Sequence, residues 1–138
     1  MFFKNSKDKN VNDDLVKVAA LLIHAAKIDE NFTNTEEKII EQALSKIGAK
    51  KESIEKIMNK AKIMEENSNQ ILDFTREVKN MDEKDKIKII ETLWEIIYSN
   101  KDADIYEANL MRRLAGLLYI DNKTMGYIKD KIKNKNSS

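Results

Sequence analysis

The chain has 138 residues, 25 of them basic and 24 acidic for a net charge of +1, with no cysteine, no proline and three glycines. The absence of cysteine excludes disulfides, thiolate metal sites and cysteine nucleophiles, and such an even balance of charge argues against nucleic acid, whose binders carry a basic excess on one face. So few helix breakers point to an all-α fold, and the length to one domain.

The start, "MFFKNSKDKN", lacks the apolar stretch of a secretory signal. Met1, Phe2 and Phe3 beside Lys4 would suit contact with a membrane or a partner, but a flexible arm over residues 1–11 is the simpler expectation. A helical domain is expected over residues 12–133, and a flexible tail over 134–138. The first helix is expected from about Asn12 to Lys27. Its apolar residues Leu15, Val16, Val18, Ala19, Leu21, Leu22, Ile23 and Ala26 cover nearly every side, as in a central, buried helix. The longest apolar run, Val18–Ala26, falls far short of the roughly 20 residues a membrane span needs. Stable membrane insertion is not expected, and the cytoplasm is the expected location.

A second helix, Asn34–Ile47, carries an apolar stripe of Ile39, Ile40, Ala43, Leu44 and Ile47 and stops at Gly48. Ile54, Ile57, Met58, Ala61 and Met64 mark a third. Ser68 opens a fourth, with Ile71, Phe74, Thr75 and Val78 inward. Asp82 and Asp85 open a fifth, whose run Ile87–Tyr98 is the most apolar of the second half. Asp104 opens a sixth through Leu110, Leu114, Leu117 and Leu118, and Asp121 or Asn122 a seventh through Met125, Ile128 and Ile132. The fold class read from this is a compact all-α bundle of about seven helices. An echo runs through it: a buried helix, a polar loop, an acidic helix start and a shorter charged helix occur from Val18 to Met64 and again from Ile89 to Lys133. The alignment pairs Asp29 with Asn100 and Glu36 with Glu107, as expected of a duplicated helical-hairpin unit.

The stretch "IDENFTNTEEKI", Ile28–Ile39, concentrates oxygen-bearing side chains ahead of the second helix. It is not an EF-hand. Counted from Asp29, position 6 is Asn34 where glycine is needed, and position 12 is Ile40 where glutamate is needed. One reading is a capping box, in which Thr33 and Glu36, or Asp104 and Glu107, bind each other's backbone N–H; Asn34 and Glu37 offer a competing register. Such a cap stabilises a helix by about 1 kcal/mol, which explains these residue types without a metal. The other reading is a site for a hard cation, magnesium or calcium, which takes carboxylate, amide and carbonyl oxygens. His24, the one histidine, is expected in the core, bonded to a carbonyl or a carboxylate. A single histidine cannot supply the paired Glu-x-x-His motifs of di-iron bundles. Phe74 and Trp94 are expected in the core. Arg112 and Arg113 suit either a surface salt bridge or a grip on a phosphate or a partner's carboxylate.

Ser68–Leu118 resembles the TerB-like family of tellurite-resistance proteins. The resemblance rests on Phe74-Thr75-Arg76, on Leu93-Trp94-Glu95 ahead of a polar loop, and on Tyr106-Glu107, Leu110 and Arg112-Arg113. Upstream, "LLIHAAKIDENFTNTEEKIIEQAL" resembles the family's first Asp-Gly loop and its following glutamate, so the likeness extends from Val16 to about Lys131. It implies an all-helical bundle built from a duplicated unit. It also implies acidic loop residues that bind a divalent cation, carried over by position as Asp29, Glu36 and Glu107. On the hard-cation reading, with the two loops of a duplicated bundle side by side, these would converge on Ca2+ or Mg2+ with Asn31 or Asp104 assisting. This chain departs from the family in having Glu30 and Lys101 where glycines follow the aspartates, and Asn100 in place of the second aspartate, which removes a formal charge.

No nucleophile–base pair, glycine-rich phosphate cradle or paired-acid motif is present. The expected function is a non-enzymatic cytosolic module for protein interaction, associated with stress or tellurite resistance, with an unknown protein partner and a cation in its acidic loops. The alternatives are a metal-free adaptor whose loops only cap helices, and a small metal-dependent hydrolase.

Overall fold

A computed structural model describes residues 2–27, 32–67, 72–99 and 105–137, with side chains described over 14–27, 32–67, 72–99 and 109–135. Among the described residues there are seven helices and no strand: α1 (Phe2–Ala26), α2 (Asn34–Ile47), α3 (Lys51–Asn67), α4 (Leu72–Lys79), α5 (Glu83–Ser99), α6 (Ile105–Leu117) and α7 (Asn122–Ser137). Every helix of the sequence reading is present, while Ser68 and Ile71, the expected opening and first inward residue of the fourth, lie outside the described residues. Two run further than their capping signals suggest: α1 starts at Phe2 rather than near Asn12, and α7 continues to Ser137. Neither extension contains a glycine or proline to interrupt the backbone hydrogen bonds.

α1 is the hub, packed against α2, α3, α4 and α5. Val18, Ala19, Ala20, Leu21 and Leu22 have no exposed surface at all, as expected for a helix that is apolar on every side. Fully burying a leucine or valine contributes roughly 1.5–3 kcal/mol, so five consecutive buried residues make this segment the anchor of the fold. α5 has the same place in the second half. Ile89, Ile90, Leu93, Trp94, Ile96 and Ile97 are buried, and the helix packs on α1, α2 and α7. α4 crosses between the halves, lying on α1 and α6.

The two halves share one register. α2 and α6 begin at Asn34 and Ile105, and α3 and α7 at Lys51 and Asn122, both 71 positions apart. At that same offset Leu22 pairs with Leu93, Ile40 with Met111, Ala43 with Leu114, Ile57 with Ile128 and Ala61 with Ile132, and all ten are buried. The equivalent helices also pair alike, α1 with α3 and α5 with α7. The correspondence reaches the backbone. α2 ends at Gly48 (φ 121°) and α6 at Tyr119 (φ 56°). Both ends are closed by the two reverse hydrogen bonds of a Schellman cap: Ala49 N–H to the Leu44 carbonyl (2.9 Å) and Gly48 N–H to Ser45 (3.2 Å), matched by Ile120 N–H to Ala115 (2.9 Å) and Tyr119 N–H to Gly116 (3.3 Å).

Candidate functional site

At the start of α2 the local chemistry decides between the two possible cap registers. Thr33 is extended (φ −90°, ψ 162°), and its Oγ1 accepts the Glu36 N–H at 3.2 Å. Glu36 Oε1 accepts in return from the Thr33 N–H at 2.9 Å and the Thr33 hydroxyl at 3.0 Å. The box is therefore Thr33–Glu36. The competing residue Glu37 instead takes the Lys62 ammonium at 2.8 Å and ties α2 to α3. Glu36 is only 4% exposed, which is unusual for a carboxylate at a helix start.

Of the other candidate ligands, Asp29, Asn31 and Asp104 lie outside the described residues. Glu107 is the third residue of α6, as Glu36 is of α2, but its side chain also lies outside the description. Among the described residues no group of three or more histidines and carboxylates is suited to a metal ion.

His24 does find a carboxylate, though not in the core. Its Nδ1 is 3.5 Å from Glu65 Oε2, and its side chain is 39% exposed. His24 and Lys27 are three residues apart and share the edge of α1 that faces α3, where Lys27 Nζ reaches Glu65 Oε1 at 2.7 Å. The hydrogen bond from Lys27 to Glu65 holds the ammonium pKa above its ordinary 10.5, against the opposing effect of burial. Two turns earlier on α1, Lys17 Nζ and Glu77 Oε1 meet at 2.9 Å and join α1 to α4. That hydrogen bond, more than any other influence, pulls the Glu77 carboxyl below its ordinary 4.5.

Phe74 and Trp94 are buried as expected, but Trp94 also forms a wall of a hollow between α5, α6 and α7. This space, about 180 Å³, is lined further by Met111, Arg112, Ala115, Met125 and Lys129. The Lys129 ammonium sits 5.5 Å from the centre of the indole. Tyr98 stacks on the indole at 6.0 Å with 25° between planes, and its hydroxyl pKa is pushed up, mostly by burial and also by Asp130. The indole Nε1 is buried and has no hydrogen-bond partner among the described residues. A sequence pattern marks Arg112 as a candidate anion contact but gives no hint of the hollow, which depends on the small size of Ala115 and Gly126.

A model of the family described as tellurite resistance protein TerB matches residues 15–130. The chain belongs to the TerB family. No curated protein and no solved structure matches it. The residues that carried the TerB resemblance divide by environment. Phe74, Thr75, Leu93, Trp94 and Leu110 are buried in the core, with the Thr75 hydroxyl donating to the Leu72 carbonyl at 3.2 Å. Arg76, Arg112 and Arg113 are exposed. Among the described residues, the apolar part of the TerB motif thus specifies packing, and its arginines are open to contact. Among the described residues of this TerB chain, no helix is long and apolar enough to cross a membrane.

Proposed function

We propose that this TerB chain is a non-catalytic cytoplasmic interaction module, associated with tellurite or related stress, whose two loop-to-helix junctions hold a calcium or magnesium ion. Asp29, Glu36 and Glu107 are the ligands, with Asn31 and Asp104 assisting. The observation that supports this reading is the buried Glu36 carboxylate, fixed at the first turn of α2 by Thr33, together with the shared register that gives Glu107 the same position in α6. A carboxylate already held in one orientation loses little side-chain entropy when it coordinates an ion. The helix dipole opposes a cation at a helix start by only about 0.3–1 kcal/mol, less than the attraction of several convergent carboxylates. An ion shared between the junctions would tie the two units together and hold one surface steady for a protein partner.

Thermal melts test this directly. Calcium or magnesium at about 100 times its Kd stabilises a protein by roughly 2.7 kcal/mol, so the midpoint is expected to rise by several degrees, with EDTA reversing the rise and Asp29→Ala abolishing it. If neither ion moves the melt, the metal-free adaptor takes its place. That second reading is favoured by the completed capping box, which accounts for Thr33 and Glu36 without a metal.

A further inference from the structure

We infer that the hollow beside Trp94 binds a small organic anion, a carboxylate or phosphate monoester carried on an apolar body about the size of one aromatic ring. The polar side chains that line it among the described residues are the Arg112 guanidinium and the Lys129 ammonium, both cations, and the Asn122 amide. Among the described residues no acidic side chain lines it. Of the nearby carboxylates in the sequence, Asp121, just before α7, accepts the Thr124 N–H at 2.7 Å, and Asp130, next to Lys129, acts on the Tyr98 hydroxyl.

The two cations, though exposed, differ from other basic residues of α7 in their pairing. Further along α7, Lys131 is 3.3 Å from Glu91 and Lys135 is 3.9 Å from Glu95. Arg112 and Lys129 have no such ion pair among the described residues. Lys129 lies over the Trp94 ring instead, where a bound anion would meet both the ammonium and an aromatic wall.

Size and walls identify the rest of the ligand. About 180 Å³ compares with the roughly 150 Å³ of an apolar cavity that accepts benzene. Met111, Ala115 and Met125 supply the apolar side. The first unit shows what this space looks like when it is used for packing. At the 71-residue offset Ala115 corresponds to Leu44 and Lys129 to Met58, both buried in the core, while Arg112 corresponds to Glu41. The second unit has exchanged two core side chains for a smaller one and a cation, and reversed the charge at the rim.

Trp94 is the one tryptophan of the chain, so its emission reports on the hollow alone, with titration calorimetry as a second readout. Phenyl phosphate and benzoate are the probes, with inorganic phosphate and benzyl alcohol as controls that lack the ring or the charge. The expected result is saturable binding of phenyl phosphate or benzoate, with each control at least about tenfold weaker. Arg112→Gln and Lys129→Gln, both at exposed positions, should each weaken binding by about tenfold, the loss expected for one charge-assisted hydrogen bond, and leave the melting midpoint close to that of the parent. Ala115→Leu should fill the hollow and remove binding. Absence of saturation with both ring anions overturns the inference. So does equal binding of benzyl alcohol or of inorganic phosphate, or indifference to Arg112→Gln in a folded protein.

Discussion

Gly48 and Tyr119 stand at equivalent helix ends closed by the same pair of hydrogen bonds, yet their backbone angles place different demands on them. At φ 121° Gly48 occupies a region that L-residues rarely enter, although the space around its Cα is open. Gly48→Ala should therefore destabilise the protein by at least about 1 kcal/mol through strain alone, since clash plays no part. Tyr119, at φ 56°, incurs a left-handed cost of about 1–2 kcal/mol. Against this stand its contact with the Lys79 ammonium, 4.6 Å from the ring centre and worth about 0.5–1 kcal/mol at an exposed site, and the added chain freedom of a glycine when unfolded, about 0.5–1 kcal/mol. Tyr119→Gly should come out within about 1 kcal/mol of neutral. Denaturant unfolding of the two variants checks this. Equal losses would show that the two ends are not governed by backbone strain. Gly48 was readable as a stop because glycine is the usual residue there. Tyr119 gave no such signal, since nothing in its chemistry announces a left-handed conformation.

At the scale of elements, helix starts were the most legible feature, because capping is local chemistry written in neighbouring residues. Thr33, Asp82 and Asp121 all act where the sequence placed them: Asp82 through its carbonyl to Asp85 and Lys86, Asp121 through its carboxylate to Thr124. The extra turns of α1 before Asn12 were missed because a polar sequence without breakers carries no apolar period to reveal a helix. Pairings between elements were also hidden, since which lysine meets which glutamate depends on tertiary placement. Lys17–Glu77 is such a strut, between α1 and α4. Its side chains are 36% and 28% exposed, so its contribution stays below about 1 kcal/mol. The sign of its pH dependence is fixed by the lowered Glu77 carboxyl. The contribution is present above the ordinary value of 4.5 and is lost as pH falls through the lower folded value. Chemical unfolding at pH 6 and at about pH 3 should therefore show a smaller gap between the parent and Glu77→Gln under acid. A gap that stays constant or widens would assign the stabilisation to packing. Lys27 works in the opposite direction: its raised pKa gives a contribution that is present below 10.5 and fades as pH rises beyond it.

For the whole molecule, the all-α class, the seven helices and the central position of α1 followed from periodicity and from the scarcity of breakers. The duplication was visible in sequence only as a loose echo around Asp29–Asn100 and Glu36–Glu107. It becomes distinct in the structure because packing keeps most core register positions buried while allowing the side chain itself to change, as in Ala61 and Ile132 or Ile40 and Met111. The Trp94 hollow is a consequence of the same freedom, being the place where the second copy stopped filling a core position. The functional account turns on whether the acidic junctions ahead of α2 and α6 act as one site. The most direct measurement is the broadening of backbone amide NMR signals by substoichiometric Mn2+, which can stand in for magnesium or calcium at an oxygen site. Simultaneous loss of the signals of residues 29–36 and 100–107, reversed by excess calcium or magnesium, is the predicted result. Broadening at one junction alone, or scattered over the acidic surface, would contradict a shared ion.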